Sequence, residues 1–173
     1  MRRTFYPLIG GLLLTVAVTA VAQQAKKVRA SYVDPAQGFS IQAPRFPKTP
    51  AKTMSIPVTF QAPPEDGFAA NVTVAVQAAR MTRKQYAELT RSQFEQAGVK
   101  VKSERNRQVS GKEAIEWEYE NEAQGKSLHF LQLAVMDTDR VFLATCTAPA
   151  EAYAKHAAEF RASLDSLKLV PRK

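Results

Sequence analysis

Residues 99–147 read VKVKSERNRQVSGKEAIEWEYENEAQGKSLHFLQLAVMDTDRVFLATCT, and this stretch decides the fold. It divides into four extended runs, Val99 to Val109, Glu113 to Asn121, Ser127 to Met136 and Val141 to Thr147. They are rich in β-branched and aromatic residues, and the second alternates strictly. Between them stand Ser110-Gly111, Ala123-Gln124-Gly125 and Asp137-Thr138-Asp139. Polar connections this short join antiparallel neighbours, because a parallel crossover needs a dozen residues or more. Four consecutive antiparallel strands follow.

Upstream, Gly98 stands where a left-handed helix cap belongs. The helix it closes begins at Thr82, with Gln85 three residues on completing a capping-box pattern. Tyr86, Leu89, Gln93 or Phe94 and Ala97 recur at helical spacing, which predicts the buried face. Downstream, Pro149 is expected to open a second helix with Thr147 as its cap. Its apolar stripe is Tyr153, Ala157, Phe160, Leu164 and Leu167.

Further out, Ala69 to Ala78 reads as a strand with Val72, Val74 and Val76 on one face. Met54 to Phe60 alternates in the same way, and Pro57 marks it as an edge or an interruption. Pro44, Pro47 and Pro50 keep the preceding stretch extended and free of helix. Tyr32 to Pro44, with Pro35 and Gly38 between two extended pieces, predicts an opening hairpin. The order is strands, helix, four strands, helix. That is an α+β domain, an antiparallel β-sheet flanked by helices, occupying residues 31–170 as a single unit.

The N-terminus is of another kind. Met1-Arg2-Arg3 precedes the apolar run Leu8 to Ala22, which ends in Ala20-Val21-Ala22. This is the pattern of a secretory signal peptide over residues 1–22, followed by a polar linker, 23–30. The run is about 15 residues, short of the roughly 20 that span a bilayer. Retention as an N-terminal anchor, or twin-arginine export through Arg2-Arg3, are the alternatives. Cys146 is the only cysteine. That excludes an intramolecular disulfide framework, a Cys-based zinc site and a lipoprotein cysteine after the apolar run.

The whole chain of 173 residues carries a formal charge of +8, which falls to +6 when Arg2 and Arg3 leave with the leader. The basic residues are scattered in small clusters, such as Lys26-Lys27-Arg29 and Lys100-Lys102-Arg105-Arg107, without interleaved aromatics. This argues against nucleic acid as a partner. It suits solubility and peripheral contact with anionic envelope surfaces.

Three places invite chemistry. Glu116, Glu118 and Glu120 alternate along one strand, about 7 Å apart on one side, with Ile115, Trp117 and Tyr119 on the other. They are metal candidates of the hard-cation kind, against which stands neutralisation by Lys100, Lys102, Arg105 and Arg107 of the neighbouring strand. Cys146 reads first as a buried hydrophobe and second as a nucleophile with His129 or His156 as its base. His129 is expected on the sheet or in the core, and His156 exposed on its helix. Trp117 and Tyr119 with Phe130 and Phe142 are core candidates that could also line a ligand pocket. No Gly-rich phosphate loop, His-Glu-x-x-His helix or Gly-x-Ser-x-Gly elbow occurs, so no catalytic or cofactor-binding residue is assigned. Asn71-Val72-Thr73 fits a glycosylation sequon, but inside a strand it reads as coincidence.

Several of these features together resemble the PsbP-like superfamily, which includes the extrinsic photosystem II subunit, DcrB-type and LpqN-type exported proteins and a Ran-binding nuclear factor. The similar residues are Asp34, Gly38-Phe39-Ser40-Ile41 and Pro44, then Asn71-Val72-Thr73-Val74, then Thr82, Tyr86 and Phe94. They continue through Gly111-Lys112-Glu113-Ala114, Trp117-Glu118-Tyr119, Thr145-Cys146-Thr147-Ala148, Phe160 and Ser163-Leu164. The resemblance implies an α/β/α sandwich around an antiparallel sheet and does not imply one activity. The expected function is a non-enzymatic, cofactor-free accessory or binding protein of the bacterial envelope that engages a protein partner. The alternative is a small-ligand binder or cysteine-dependent enzyme with a pocket near Cys146.

The leader makes the first testable prediction. N-terminal sequencing of the exported protein should begin at Gln23, and full-length chain in the membrane fraction would refute cleavage.

Overall fold

The computed structural model describes residues 29–46, 48–49, 56, 58–123 and 125–173. The leader 1–22, most of the linker and Pro47, Pro50, Met54 and Pro57 lie outside them. The first hairpin forms as expected: β1 (Ser31–Asp34) pairs antiparallel with β2 (Phe39–Gln42), Tyr32 opposite Ile41. Next come β3 (Lys48–Thr49), β4 (Val58–Gln61) and β5 (Asn71–Ala78), then α1 (Arg83–Gln96). The four-strand run is β6 (Lys100–Val109), β7 (Lys112–Ala123), β8 (Lys126–Met136) and β9 (Arg140–Pro149). α2 (Tyr153–Asp165) and the short β10 (Lys168–Leu169) close the chain.

The main sheet has seven strands in the order β3-β4-β5-β9-β8-β7-β6, every neighbour antiparallel. Side-chain alternation gives it two faces. Val72, Val74, Ala144, Cys146, Leu131, Leu133 and Phe142 point to one, where they pack with Phe160 and Leu164 of α2 and with Phe39 and Ile41 of β2. Ile115, Trp117, Tyr119 and Ala134 point to the other, against Tyr86, Ala87 and Phe94 of α1. One helix on each face makes the sandwich.

Local signals were accurate at both caps of α1 and at the turn from β6 to β7. Thr82 Oγ1 accepts from Gln85 N–H at 3.2 Å, and Gln85 Oε1 accepts from Thr82 N–H at 2.9 Å. At the other end Gly98 (φ +65°) lets Val99 N–H reach Phe94 O at 2.9 Å and Gly98 N–H reach Glu95 O at 3.2 Å, a Schellman closure. Ser110 and Gly111, at φ 51° and 74°, make the tight primed turn between β6 and β7.

Four expectations need correction. The strand placed at Met54 to Phe60 runs from Val58 to Gln61 among the described residues. The buried residues of α1 are Ala87 and Thr90, while Leu89 is 43% exposed and Ala97 is exposed. The helix rolls because Tyr86 and Phe94 both pack on Trp117, with ring centroids 6.1 Å away in each case. Thr147 does not cap α2. It lies buried in β9 opposite Asn71 and Phe130, because the β9 ladder continues to Pro149, opposite Leu128. The helix starts at Tyr153 with no side-chain cap. Finally, Leu167 is buried beyond the end of α2, and β10 after it pairs with β2. That creates a second sheet, β1-β2-β10, which the periodicity did not suggest.

The second sheet is held at the hairpin turn. Gly38 adopts φ +76°, and a Cβ there would stand 2.9 Å from Val170 O, so a side chain would push the C-terminal tail away. Arg140, almost buried, donates from Nη1 to Gln37 O at 2.7 Å and lies 4.7 Å over the Phe142 ring.

Trp117 is fully buried between α1 and β7. Trp117→Ala should cost about 3–5 kcal/mol of stability, measured as a lowered urea midpoint. An unchanged midpoint would contradict this packing.

Candidate functional site

The register of β6 against β7 sets Lys100 opposite Glu120, Ser103 opposite Glu118 and Arg105 opposite Glu116, with a bulge between Val101 and Ser103. The three carboxylates share the α2 face, as their spacing predicts. Their environments then diverge. Glu116 is 1% exposed, and its Oε2 accepts from Arg107 Nη1 and, at 2.7 Å, from Arg161 Nη1 of α2. Arg107 Nη2 also donates to Asp165 Oδ1 at 2.8 Å, so the edge strand, its neighbour and a helix meet at one carboxylate.

Glu118 Oε1 lies 2.9 Å from His129 Nε2, and Glu120 Oε1 lies 3.4 Å from His129 Nδ1 and 2.6 Å from Lys102 Nζ. The Lys102 hydrogen bond holds the Glu120 carboxyl below its ordinary value. His129 is nearly buried, flat against the ring of Tyr153 at 3.5 Å between centroids. Burial, then the charge of Glu118, pushes the Tyr153 phenol up to about 12. Of the four cations expected from β6, Lys102 and Arg107 engage these carboxylates. Arg161 and His129 do the rest, and sequence reasoning had not paired them. Among the described residues no group of three or more His, Cys, Asp or Glu is placed to hold a metal ion.

Cys146 lies on the same face, fully buried, its Sγ 3.9 Å from Phe160 O. Burial pushes the thiol well above its ordinary range. A nucleophile needs the opposite shift and access. Both nitrogens of His129 are turned to carboxylates. His156 is not exposed as expected but buried, edge-on to Phe46 at 5.5 Å and 5.8 Å from Phe160. Burial lowers its pKa. The arrangement fastens α2 to the sheet and offers no activated nucleophile.

The aromatic set is split. Phe142 faces α2, whereas Trp117, Tyr119 and Phe130 face α1, Tyr119 stacked on Phe130 at 4.8 Å. On this α1 side β9 buries Val141 and Thr147 at its ends, while Thr73 and Ala75 of β5 and Leu143 and Thr145 of β9 between them stay half-buried. Thr73 Oγ1 donates to Thr145 O at 3.4 Å, and Gln132 Nε2 donates to Thr145 Oγ1 at 3.2 Å. Where this neutral surface runs under α1 there is a cleft of about 260 Å³. Alternation along β5 and β9 gives the sign of this surface; its lack of cover depends on where α1 lands.

No family model and no curated protein matches the chain. Solved structures do. LpqN of Mycobacterium tuberculosis, described as involved in cell envelope biogenesis, superposes with a TM-score of 0.62 at 9% identity over 85% of this chain and 88% of that one. Cyanobacterial PsbP from Synechocystis sp. PCC 6803 gives 0.60 at 13% identity over 81% and 91%. A Pseudomonas aeruginosa protein of unknown function, PA94, gives 0.56 at 18% identity over 78% and 92%. The fold is PsbP-like. No helix among the described residues is long and apolar enough to cross a membrane.

The state of Cys146 is directly measurable. The folded protein should not react with Ellman's reagent at pH 8, and one thiol should appear on unfolding in guanidinium chloride. Rapid stoichiometric labelling of the folded chain would revive a cysteine-centred activity.

Proposed function

We propose that this PsbP-like chain is a non-enzymatic accessory protein, exported to the bacterial envelope by its N-terminal leader, that engages a protein partner through the α1 side of its sheet. The observation that carries this reading is the contrast between the two faces. On the α2 face Glu116, Glu118, Glu120 and His129 are paired with one another or with Arg107, Arg161 and Lys102, and are partly or wholly buried, which suits structure rather than turnover. On the α1 face, Thr73, Ala75, Leu143 and Thr145 form a neutral, half-buried surface on a rigid sheet. Rigid strands hold such a surface in register, which lowers the ordering cost of association.

The described relative LpqN, named for envelope biogenesis, and the leader pattern at residues 1–22 support the compartment. The burial of Cys146, whose thiol is raised well above its ordinary range, supports a role that does not run through this cysteine.

The test is site-specific cross-linking in intact cells. A photoreactive residue at Thr73 or Thr145 should give one discrete adduct, lost when Thr145→Arg is introduced into the Thr73 probe. The same probe at Ala158, exposed on α2, should give none. Equal adducts from both faces, or none from Thr73 and Thr145, would overturn the assignment of the face.

A further inference from the structure

Among the described residues the polar contacts of α1 with the sheet run along one flank. Arg91 Nε donates to Glu104 Oε2 of β6 at 2.8 Å, and Arg83 donates to Asn106 of β6 and lies 3.6 Å from Glu113 Oε1 of β7. On the other flank Leu89 and Gln93, one turn apart and therefore stacked on one face, stay exposed. They form one wall of the 260 Å³ cleft, and Gln77, Gln132 and Leu143 form the opposite wall. The floor is Tyr119, packed against Phe94 with ring centroids 4.6 Å apart and stacked on Phe130 behind it. The floor is aromatic and already assembled.

Three other clefts among the described residues carry charged walls. The cleft at the α2 start has Glu65, Asp66 and Glu151 on its walls; that beyond the end of α1 has Lys100, Glu120 and Glu122; that beside β6 has Arg83, Arg107 and Glu113. No charged side chain among the described residues lines the cleft under α1. An ion entering it would lose hydration without a counter-charge. Burial raises the phenols of Tyr86 and Tyr119, the latter to about 12, so both stay neutral. Uncharged donors and acceptors are at hand: the amides of Gln77 and Gln93, the Thr90 hydroxyl, and the Gln132 carbonyl left over from its bond to Thr145.

Volume limits the occupant. A cavity of about 150 Å³ accepts benzene, and drug-sized ligands fill about 300 Å³ or more. We propose that this cleft binds a small uncharged amphiphile, whose apolar body is a single ring or short alkyl chain and whose head carries hydroxyl or amide groups. This places ligand binding under α1, on the face of the sheet opposite Cys146. It shares Leu143 with the surface proposed for the partner but is tested on the purified chain alone, so the failure of either reading leaves the other standing.

Trp117, the only tryptophan, contacts Tyr86 and Phe94 from beneath and reports on the cleft. The experiment titrates the purified protein with octyl glucoside, octanoate and octyltrimethylammonium, each below its micelle-forming concentration. Trp117 fluorescence and calorimetry are read together. Octyl glucoside should bind saturably with one site, at least tenfold more tightly than either ion. Leu143→Glu should weaken it at least tenfold. So should Leu89→Glu, which alters an exposed residue and should leave the melting temperature unchanged. Absence of saturable binding, equal affinity for all three probes, or indifference to Leu89→Glu in a folded protein would overturn the proposal.

Discussion

One buried carboxylate ties the α2 half of the molecule together. Glu116 is almost inaccessible, yet it receives Arg107 from the edge strand and Arg161 from α2. A buried ion pair contributes little net stability, since desolvation offsets attraction, but removing one partner leaves uncompensated charge. Its consequence is therefore positional. With Arg161 fixed to β7, Phe160 and Leu164 can face only the core between the sheet and β2, and Leu167 carries the chain back to form β10. The small sheet depends on that return, because β2 would otherwise have β1 as its only partner.

The fold was legible wherever its cause is local. Turn residues, the Thr82–Gln85 box, the Gly98 cap and the alternation of β7 act within a few positions, and each reads correctly. What was missed acts at a distance. Arg161 meets Glu116 across 45 residues, and β10 meets β2 from opposite ends of the domain; no periodicity carries that information. The face of α1 failed for a related reason. Leu89 is the more apolar residue, but two aromatic rings one contact from Trp117 outweigh it, and the helix turns to bury Ala87 and Thr90 instead. Thr147 failed as a cap because a β-ladder extended past it to Pro149.

The candidate site divides in the same way. That the three glutamates share a side was readable from period two, and that they are neutralised followed from the basic strand beside them. Which cations do it was not readable, since a bulge beside Lys102 shifts the register by one residue. The neutral surface on the α1 side had no sequence signature of its own. Thr, Ala, Gln and Leu are unremarked individually, and their juxtaposition exists only across β5, β9 and β8. Three solved structures at 9 to 18% identity share the architecture, so the frame tolerates wide change in what its surfaces display.

The bulge in β6 has a further meaning. β6 is the last strand of the seven, ten residues long, and pairs only with β7. A flat edge of that length would template a neighbouring chain, and lysine, arginine and a kink are the usual defences against it. Here Lys100, Lys102, Arg105 and Arg107 crowd the edge, and the irregularity between Val101 and Ser103 twists its hydrogen-bonding groups out of line. Two copies meeting edge to edge would bring like charges together across a misaligned ladder. Strand-to-strand pairing of copies is thereby disfavoured at this edge, where a neighbour would meet side chains before it could extend the backbone ladder.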